Sequence, residues 1–297
     1  MNCLIQKSID KEDQKRMGMV YACVAPHGSE VIPELAGDQL EAFSKTRNGM
    51  EELGRQMREQ HPDVIVLATP HGLRLTATIG VVTAEYTEGS VEEKGKTVRT
   101  RFQCDRQLAL EILRRAKEAK LPVVGANYGT NEGPASCMPM DWGTLIPLWF
   151  FGAQDQEKPR VVIVAPSREI PLEQLVRFGY VIAEAAEASG KRIAFVASAD
   201  QGHAHDPKGP YGFHPASAKY DELVQRAVEE DDLKRLLSLD PKFVEDAKPD
   251  SLWQMATLIG VLERVPMKGR LISYQAPTYF GMLCAAYKPI KATKRAR

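Results

Sequence analysis

Residues 192–215 of this 297-residue chain read RIAFVASADQGHAHDPKGPYGFHP, an apolar run followed by a histidine-rich loop. The run Arg192–Val196 has the length and bulk of a buried strand. The loop carries His203, His205 and His214, which are three of the chain's six histidines. Open α/β sheets place their ligand sites in loops that leave the carboxyl ends of strands. This stretch therefore predicts both the fold class and the position of a site.

Two further histidines have matching surroundings in the first half of the chain. His27 follows the apolar run Val20–Ala25 and a proline, and His71 follows the apolar run Val64–Thr69 and a proline. A glycine comes directly after each of them. Proline fixes the direction of a loop, and glycine lets a ligand approach the backbone closely. We therefore expect three strand ends to bring imidazoles to one edge of a sheet.

Apolar runs with strand character alternate with segments of helical periodicity along the chain. Helices are predicted over 38–60, 105–120 and 172–189. Residues 75–104 alternate polar and apolar side chains, which predicts an antiparallel excursion, and residues 269–274 form the last predicted strand. This order predicts an α/β fold, a three-layer sandwich with a mixed, mostly parallel central sheet flanked by helices.

The length permits one large domain, and we predict a single domain over 1–297. Its ends are a polar N-terminal segment, 1–15, and a basic C-terminal tail, 288–297, which we interpret as solvated. The formal net charge is zero, with 39 acidic and 39 basic residues. That balance argues against nucleic acid or a membrane as a partner and favours a small molecule.

Three features bear on the compartment. Segment 1–15 lacks the apolar core of a signal peptide, and no apolar run approaches the ~20 residues that span a bilayer. The five cysteines are scattered and lie mostly in apolar runs, as is typical of thiols in a reducing environment. We predict a cytoplasmic protein.

The paired histidines indicate metal chemistry. Neutral imidazole is a good ligand for Fe(II) and Zn, and two histidines with a carboxylate leave coordination positions open for a substrate and O2. His27 and His71 are therefore candidate metal ligands.

Four stretches carry a resemblance to a known family. They are Pro26-His27 with Ile32-Pro33-Glu34; residues 62–66 with Pro70-His71-Gly72; residues 141–148; and residues 198–203 with 210–213. In order and spacing they resemble the class III extradiol ring-cleaving dioxygenase superfamily. That superfamily includes the protocatechuate dioxygenase β-subunit and the Memo-like proteins.

The resemblance implies a site and a reaction. His27 and His71 would bind Fe(II), with Zn or Mn as other metals, and a catechol-like aromatic substrate and O2 would meet there. His203 would act as general acid and base. Relatives form homodimers and heteromers, and we predict a homo-oligomer. Four residues are assigned to the substrate pocket: Trp142, His205, Tyr211 and His214. His205 and His214 could instead have a structural or solvent role, and Tyr211 could instead pack.

The third metal ligand departs from the family pattern. Family members usually carry a glutamate near the C-terminus in a Ser-Tyr-Glu-Gly-Pro context, and this chain has Gln275 in that slot. A neutral amide oxygen is a poorer ligand for a divalent cation than a carboxylate. We assign Gln275 as the third ligand. Tyr279 could take this place instead, or Glu34, Asp38 or Asp141 could supply the charge.

Three functions follow from these assignments. The first is an Fe(II)-dependent extradiol dioxygenase that cleaves a catechol-like ring. The second is a Memo-like binding or redox protein that keeps the fold and the histidine pocket without ring cleavage. The third is hydrolytic chemistry at Zn.

Overall fold

The computed structural model describes residues 17–290, so the polar segment 1–15 and residues 291–297 of the basic tail lie outside the described part. Its strands are β1 (Gly18–Ala25), β2 (Val64–Ala68), β3 (Ile79–Val82), β4 (Tyr86–Glu93), β5 (Lys96–Gln103), β6 (Val123–Ala126), β7 (Cys137–Pro139), β8 (Arg160–Ala165), β9 (Arg192–Ser198), β10 (Met267–Gln275) and β11 (Met282–Pro289).

The α-helices of the same part of the chain are α1 (Pro33–Ala36), α2 (Ser44–Glu59), α3 (Arg106–Glu118), α4 (Trp142–Leu148), α5 (Leu172–Ser189), α6 (Pro215–Glu229), α7 (Pro241–Ala247) and α8 (Leu252–Arg264). Eight strands form one sheet in the order β10-β11-β1-β9-β2-β8-β3-β6, and β5-β4-β7 form a small second sheet. The predicted α/β fold with a mostly parallel sheet flanked by helices is confirmed.

The central strands are buried on both faces. In β2, Val64, Val66 and Ala68 face one apolar core, and Ile65 and Leu67 face the other. Side chains of a strand alternate between the two faces of a sheet, so a continuous apolar run needs a packed layer on each side. One core packs against helices such as α5 and α8, and the other against α2 and α4.

The parallel order places three strand ends side by side. β9 pairs in parallel with β1 on one side and with β2 on the other. Their last residues, Ala25, Ser198 and Ala68, therefore lie along one edge of the sheet. The loops that carry His27, His203 and His71 leave from this edge.

Two details differ from the sequence-based predictions. The predicted last strand corresponds to β10, but the central sheet contains one further strand, β11, which pairs with both β10 and β1. Residues 282–289 contain no β-branched side chain, so strand propensity is weak there and pairing on both sides decides the structure. The second helix begins at Ser44 rather than at Asp38, because a 3-10 turn from Gly37, with φ +57°, occupies the expected start.

The antiparallel excursion predicted over 75–104 is present as β4 and β5, which pair antiparallel. These two strands belong to the small sheet, in which β7 is the other neighbour of β4. Within the described residues, four cysteines are free, and no helix has the length and apolarity to cross a membrane.

Candidate active site

Two histidines and one aspartate converge at the carboxyl edge of the sheet. His27 Nε2 lies 3.2 Å from His71 Nε2, and His71 Nε2 lies 3.1 Å from Asp250 Oδ2. One donor atom from each of the three residues lies within 4.8 Å of the other two, which suits a single metal ion. We call these residues the ligand cluster.

Ser198 orients the first histidine of the cluster. Its hydroxyl donates a hydrogen bond to the Gly143 carbonyl, 2.5 Å away, and lies 3.0 Å from His27 Nδ1. Because the hydroxyl has one proton and gives it to the carbonyl, the imidazole must donate through Nδ1. The Nε2 of His27 then carries a free lone pair that points toward His71 and Asp250. Such an outer partner is how proteins fix the tautomer of a metal-binding histidine.

His71 is held by its loop and by an indole. Its backbone N–H donates to Thr69 Oγ1, and that hydroxyl donates to Asp141. The Trp142 ring lies against the imidazole, with 4.0 Å between ring centroids. Trp142 starts α4, and Asp141 caps that helix by accepting from the Thr144 backbone N–H. The cap and the adjacent indole fix the direction of His71.

Asp250 supplies the carboxylate, from the loop between α7 and α8. Arg168 pairs with Oδ1, which leaves Oδ2 facing the two histidines. Burial alone would raise the pKa of Asp250, but the facing imidazoles of His27 and His71 and the charge of Arg168 hold it well below its usual range. The group is therefore ionised across the physiological range, as a metal ligand must be.

A second buried carboxylate lies beside the cluster. Asp200 is 3 % exposed, accepts from the His27 backbone N–H at 3.0 Å, and has Oδ2 3.2 Å from His27 Nε2. Burial raises its pKa above the ordinary value. Burial lowers the pKa of His27, but Asp200 and Asp250 together outweigh that effect and raise it. His27 thus stands between two carboxylates that attract positive charge.

His203 faces the same cavity as the ligand cluster. Its Nδ1 donates to the Gln201 carbonyl at 2.7 Å, so Nε2 is free to accept a proton. Its ring stacks on Phe280, with 5.5 Å between centroids. Burial is the largest influence on its pKa and lowers it from the ordinary 6.5. A neutral imidazole with a free Nε2 is suited to act as a general base near neutral pH.

The cavity measures about 620 Å³ and combines the cluster with aromatic walls. Of the four residues predicted to contact a substrate, Trp142 and Tyr211 line it. The remaining two have structural contacts elsewhere. His205 Nε2 lies 2.9 Å from the buried Asp221 carboxylate, and His214 caps α6 by accepting from the Ala216 backbone N–H. His205 and His214 therefore lie outside the lining of this cavity and have hydrogen-bond partners of their own.

The prediction of Gln275 as third ligand does not agree with the structure. Its amide donates to the Ala42 carbonyl at 2.9 Å, and the residue is absent from the cavity lining. Asp250 provides the carboxylate in its place.

The four further candidates for the third ligand also lie outside the cluster. Asp141 caps a helix, and Asp38 pairs with Lys94. Glu34 is exposed, and Tyr279 lines the cavity near His203.

Sequence reasoning missed Asp250, Asp200, Ser198 and Arg168. Asp250 lies two residues before α8, after a proline, where an aspartate in the sequence indicates a helix start rather than a ligand. Asp200 and Ser198 stand in the histidine-rich stretch 192–215, directly at a strand end. That position was the available signal, because the carboxyl edge of the sheet is where His27 also lies.

The α/β sheet carries two histidines and a carboxylate at its carboxyl edge. This arrangement defines a class of protein with a candidate mononuclear metal site. The same set of donor atoms is found in many non-haem Fe(II) oxygenases. The chain belongs to the family described as the catalytic LigB subunit of aromatic ring-opening dioxygenase, which matches residues 21–282.

Two individual proteins are similar to this chain. Protein CA_C1420 of Clostridium acetobutylicum is 25 % identical over 251 residues, which cover 84 % of this chain and 53 % of that protein, so the chain spans about half the length of this curated relative. The crystal structure of the uncharacterized protein JW3007 of Escherichia coli K12 has a TM-score of 0.53 at 17 % identity. The match covers 90 % of this chain and 99 % of that one, and it shows the shared fold.

Proposed function

We propose that this protein is an Fe(II)-dependent extradiol dioxygenase that opens the ring of a catechol-like aromatic substrate with O2. The observation that carries the proposal is the ligand cluster of His27, His71 and Asp250 in one cavity with His203. Membership of an aromatic ring-opening family supports the same reaction class. We include a cytoplasmic location and a homo-oligomer as parts of this proposal.

The donor set fits a divalent transition-metal ion. Ser198 leaves the His27 lone pair free, and Asp250 is ionised, so two imidazole nitrogens and one anionic oxygen face a common point. Three protein ligands leave positions open for a chelating substrate. When bound, Fe(II) would supply Lewis acidity toward the catechol oxygens and the redox chemistry that O2 requires.

The residues of the chain bind the substrate and move protons. Trp142, Phe280 and Tyr279 provide apolar faces for an aromatic ring beside the cluster. His203 Nε2 accepts the proton of a catechol hydroxyl and returns a proton later in the reaction. One ring C–C bond next to the hydroxyl-bearing carbons breaks, and both atoms of O2 enter the product, so no external reductant is consumed.

The test uses full-length protein loaded with Fe(II) without air, mixed with a panel of catechols and then exposed to O2. We expect O2 uptake in step with a new near-visible absorbance, and both atoms of 18O2 in the product. His203→Gln should lower the rate by about a hundredfold or more, and His214→Asn, which keeps a helix cap, should not change it. No O2 uptake and no new absorbance with any catechol of the panel, together with tight binding of a protein or peptide, would instead support the Memo-like function.

A further inference from the structure

A second cavity lies between the central sheet and the helices of one face. It measures about 560 Å³, which is an ordinary size for a ligand cavity. Its walls come from α5, α8, the turn after α6 and the start of β10. Within residues 17–290, it shares no lining residue with the cavity of the ligand cluster. We call it the helix-side cavity, and a molecule bound in it would not meet the ligand cluster.

Apolar side chains form half of the wall of the helix-side cavity. Two tyrosines complete its apolar surface and differ in depth. Tyr180 is 38 % exposed and lies at the mouth, whereas Tyr287 is 1 % exposed and lies at the inner end. An apolar molecule would therefore lose much of its contact with water on entering, which favours binding. The apolar wall residues are Leu233, Ile259, Leu262, Pro266 and Met267.

The charged side chains that line the helix-side cavity have ionic partners. Lys234 Nζ lies 2.7 Å from a carboxylate oxygen of Glu263. Asp231 pairs with Lys268 and also accepts a hydrogen bond from the Gly269 backbone N–H. These three are the charged residues of the wall in the described part of the chain. Since each is balanced by an opposite charge, and burial of an unpaired ion is costly, the cavity favours a neutral ligand.

The hydroxyl of Tyr287 is a polar group of the wall that has no partner. It is buried and makes no hydrogen bond within residues 17–290. The large majority of buried polar groups in proteins are hydrogen-bonded, so an acceptor is missing here. Burial, together with the charge of Asp231, raises the pKa of Tyr287. The hydroxyl therefore keeps its proton and can donate it to an acceptor in the cavity.

A glycine sets the position of the Tyr287 ring. Gly269 is its direct neighbour in the pairing of β10 with β11. A methyl group on Gly269 would lie 2.7 Å from Tyr287 Cε1, which is too close for a real side chain. The ring thus lies across β10, the edge strand of the central sheet, beside the wall residue Met267.

We infer that the helix-side cavity binds a neutral, largely apolar small molecule with an oxygen atom that accepts a hydrogen bond from Tyr287. The apolar wall would bind the body of this molecule, and the hydroxyl would select for the acceptor. The inference is independent of the proposed function, because the two cavities have separate walls. Its test needs neither metal nor O2.

Titration of the full-length protein with 1-tetralone and with tetralin tests the inference. These two bicyclic molecules have nearly the same size, and only 1-tetralone has a carbonyl oxygen. Methionines labelled with 13C at the ε-methyl group report the position of binding, because Met267 lines the cavity and Met50 lies in the other core. We expect both molecules to shift the Met267 signal and not the Met50 signal. 1-Tetralone should bind about tenfold more tightly than tetralin.

Tyr287→Phe assigns this preference to the hydroxyl. The variant should bind both molecules equally and leave the affinity for tetralin unchanged. Because the hydroxyl has no partner to lose, Tm should not fall. Tyr220→Phe is the matched control, since the buried Tyr220 hydroxyl lies 2.8 Å from the Ser251 hydroxyl. It should lower Tm and keep the preference for 1-tetralone.

Leu262→Trp assigns the binding to the cavity. The larger side chain would fill the space beside α8, so neither molecule should bind. Leu110→Trp, at an exposed position of α3, is the control and should keep both affinities. Three results would each overturn the inference: equal affinities in the unaltered protein, a preference that survives in Tyr287→Phe, or a Met267 signal that neither molecule shifts.

Discussion

Asp250 and Gln275 are the residues at which the structure and the family pattern disagree about the third metal ligand. Asp250→Asn removes the anionic oxygen from the ligand cluster, and we expect metal affinity to fall by about a hundredfold. Gln275→Glu adds a carboxylate beside Ala42 rather than at the cluster, so the affinity should stay the same. Competition with a chromophoric chelator measures both. A higher metal affinity of the Gln275→Glu variant would mean that residue 275 lies among the metal ligands after all.

His203 gives the activity an expected pH dependence. Burial lowers its pKa from 6.5, so the proton-accepting form persists below that pH. The acid limb of kcat/KM should therefore fall at a pH below 6.5, because activity is lost only when Nε2 becomes protonated. A bound divalent cation nearby would shift the pKa in the same direction.

The profile of kcat/KM against pH checks this, with His214→Asn as the matched control. His214 lies at the start of α6 and has its own hydrogen bond, so its replacement should leave the acid limb in place. An acid limb above pH 6.5 would assign the general base to another group.

At the scale of elements, two glycines set how closely α5 and α8 approach. A methyl group on Gly179 would overlap the Thr257 carbonyl oxygen, and one on Gly260 would overlap the Val176 carbonyl oxygen. The backbones of the two helices are therefore in direct contact at these glycines. This contact forms one wall of the core beneath β1, whose outgoing loop carries His27, and β9, which ends at Ser198.

Gly179→Ala should destabilise the protein in spite of the better helix propensity of alanine. Alanine gains about 1 kcal/mol in a helix, but the overlap forces the two helices apart, and overpacking costs about 1–3 kcal/mol or more. We expect the free energy of unfolding to fall by about 2 kcal/mol in denaturant titrations. Arg177→Ala, on the exposed face of α5, is the control and should change it little. Equal stability of Gly179→Ala would mean that the helices can separate without cost.

Periodicity predicted most elements, because a strand that is buried on both faces of the sheet has a continuous run of apolar residues in its sequence. The runs that became β1, β2 and β9 were of this kind, and Gly190, at the left-handed end of α5, marked its boundary. β11 was not predicted, since alanine, cysteine and methionine carry no strand signal and the neighbouring strands decide its structure.

At the scale of the whole molecule, only those metal ligands that share a local sequence pattern could be predicted. His27 and His71 repeat one proline–histidine–glycine setting at strand ends. Asp250 comes from a loop between two helices, and its place depends on how α7 packs on the sheet edge, where the Asp250 backbone bonds to Asp200. Such a long-range contact leaves no periodic signal in a single sequence.

Because the ligands come from three distant parts of the chain, metal binding should stabilise the native state as a whole. A ligand that binds only the folded protein adds about 2.7 kcal/mol at a hundredfold excess over Kd, and for a domain of this size that raises Tm by several degrees. Thermal unfolding with and without Fe(II), under nitrogen, measures the shift, and a chelator should reverse it. Gln275→Glu should show the full shift and Asp250→Asn little of it. A full shift in Asp250→Asn would mean that the stabilising ion binds somewhere other than the ligand cluster.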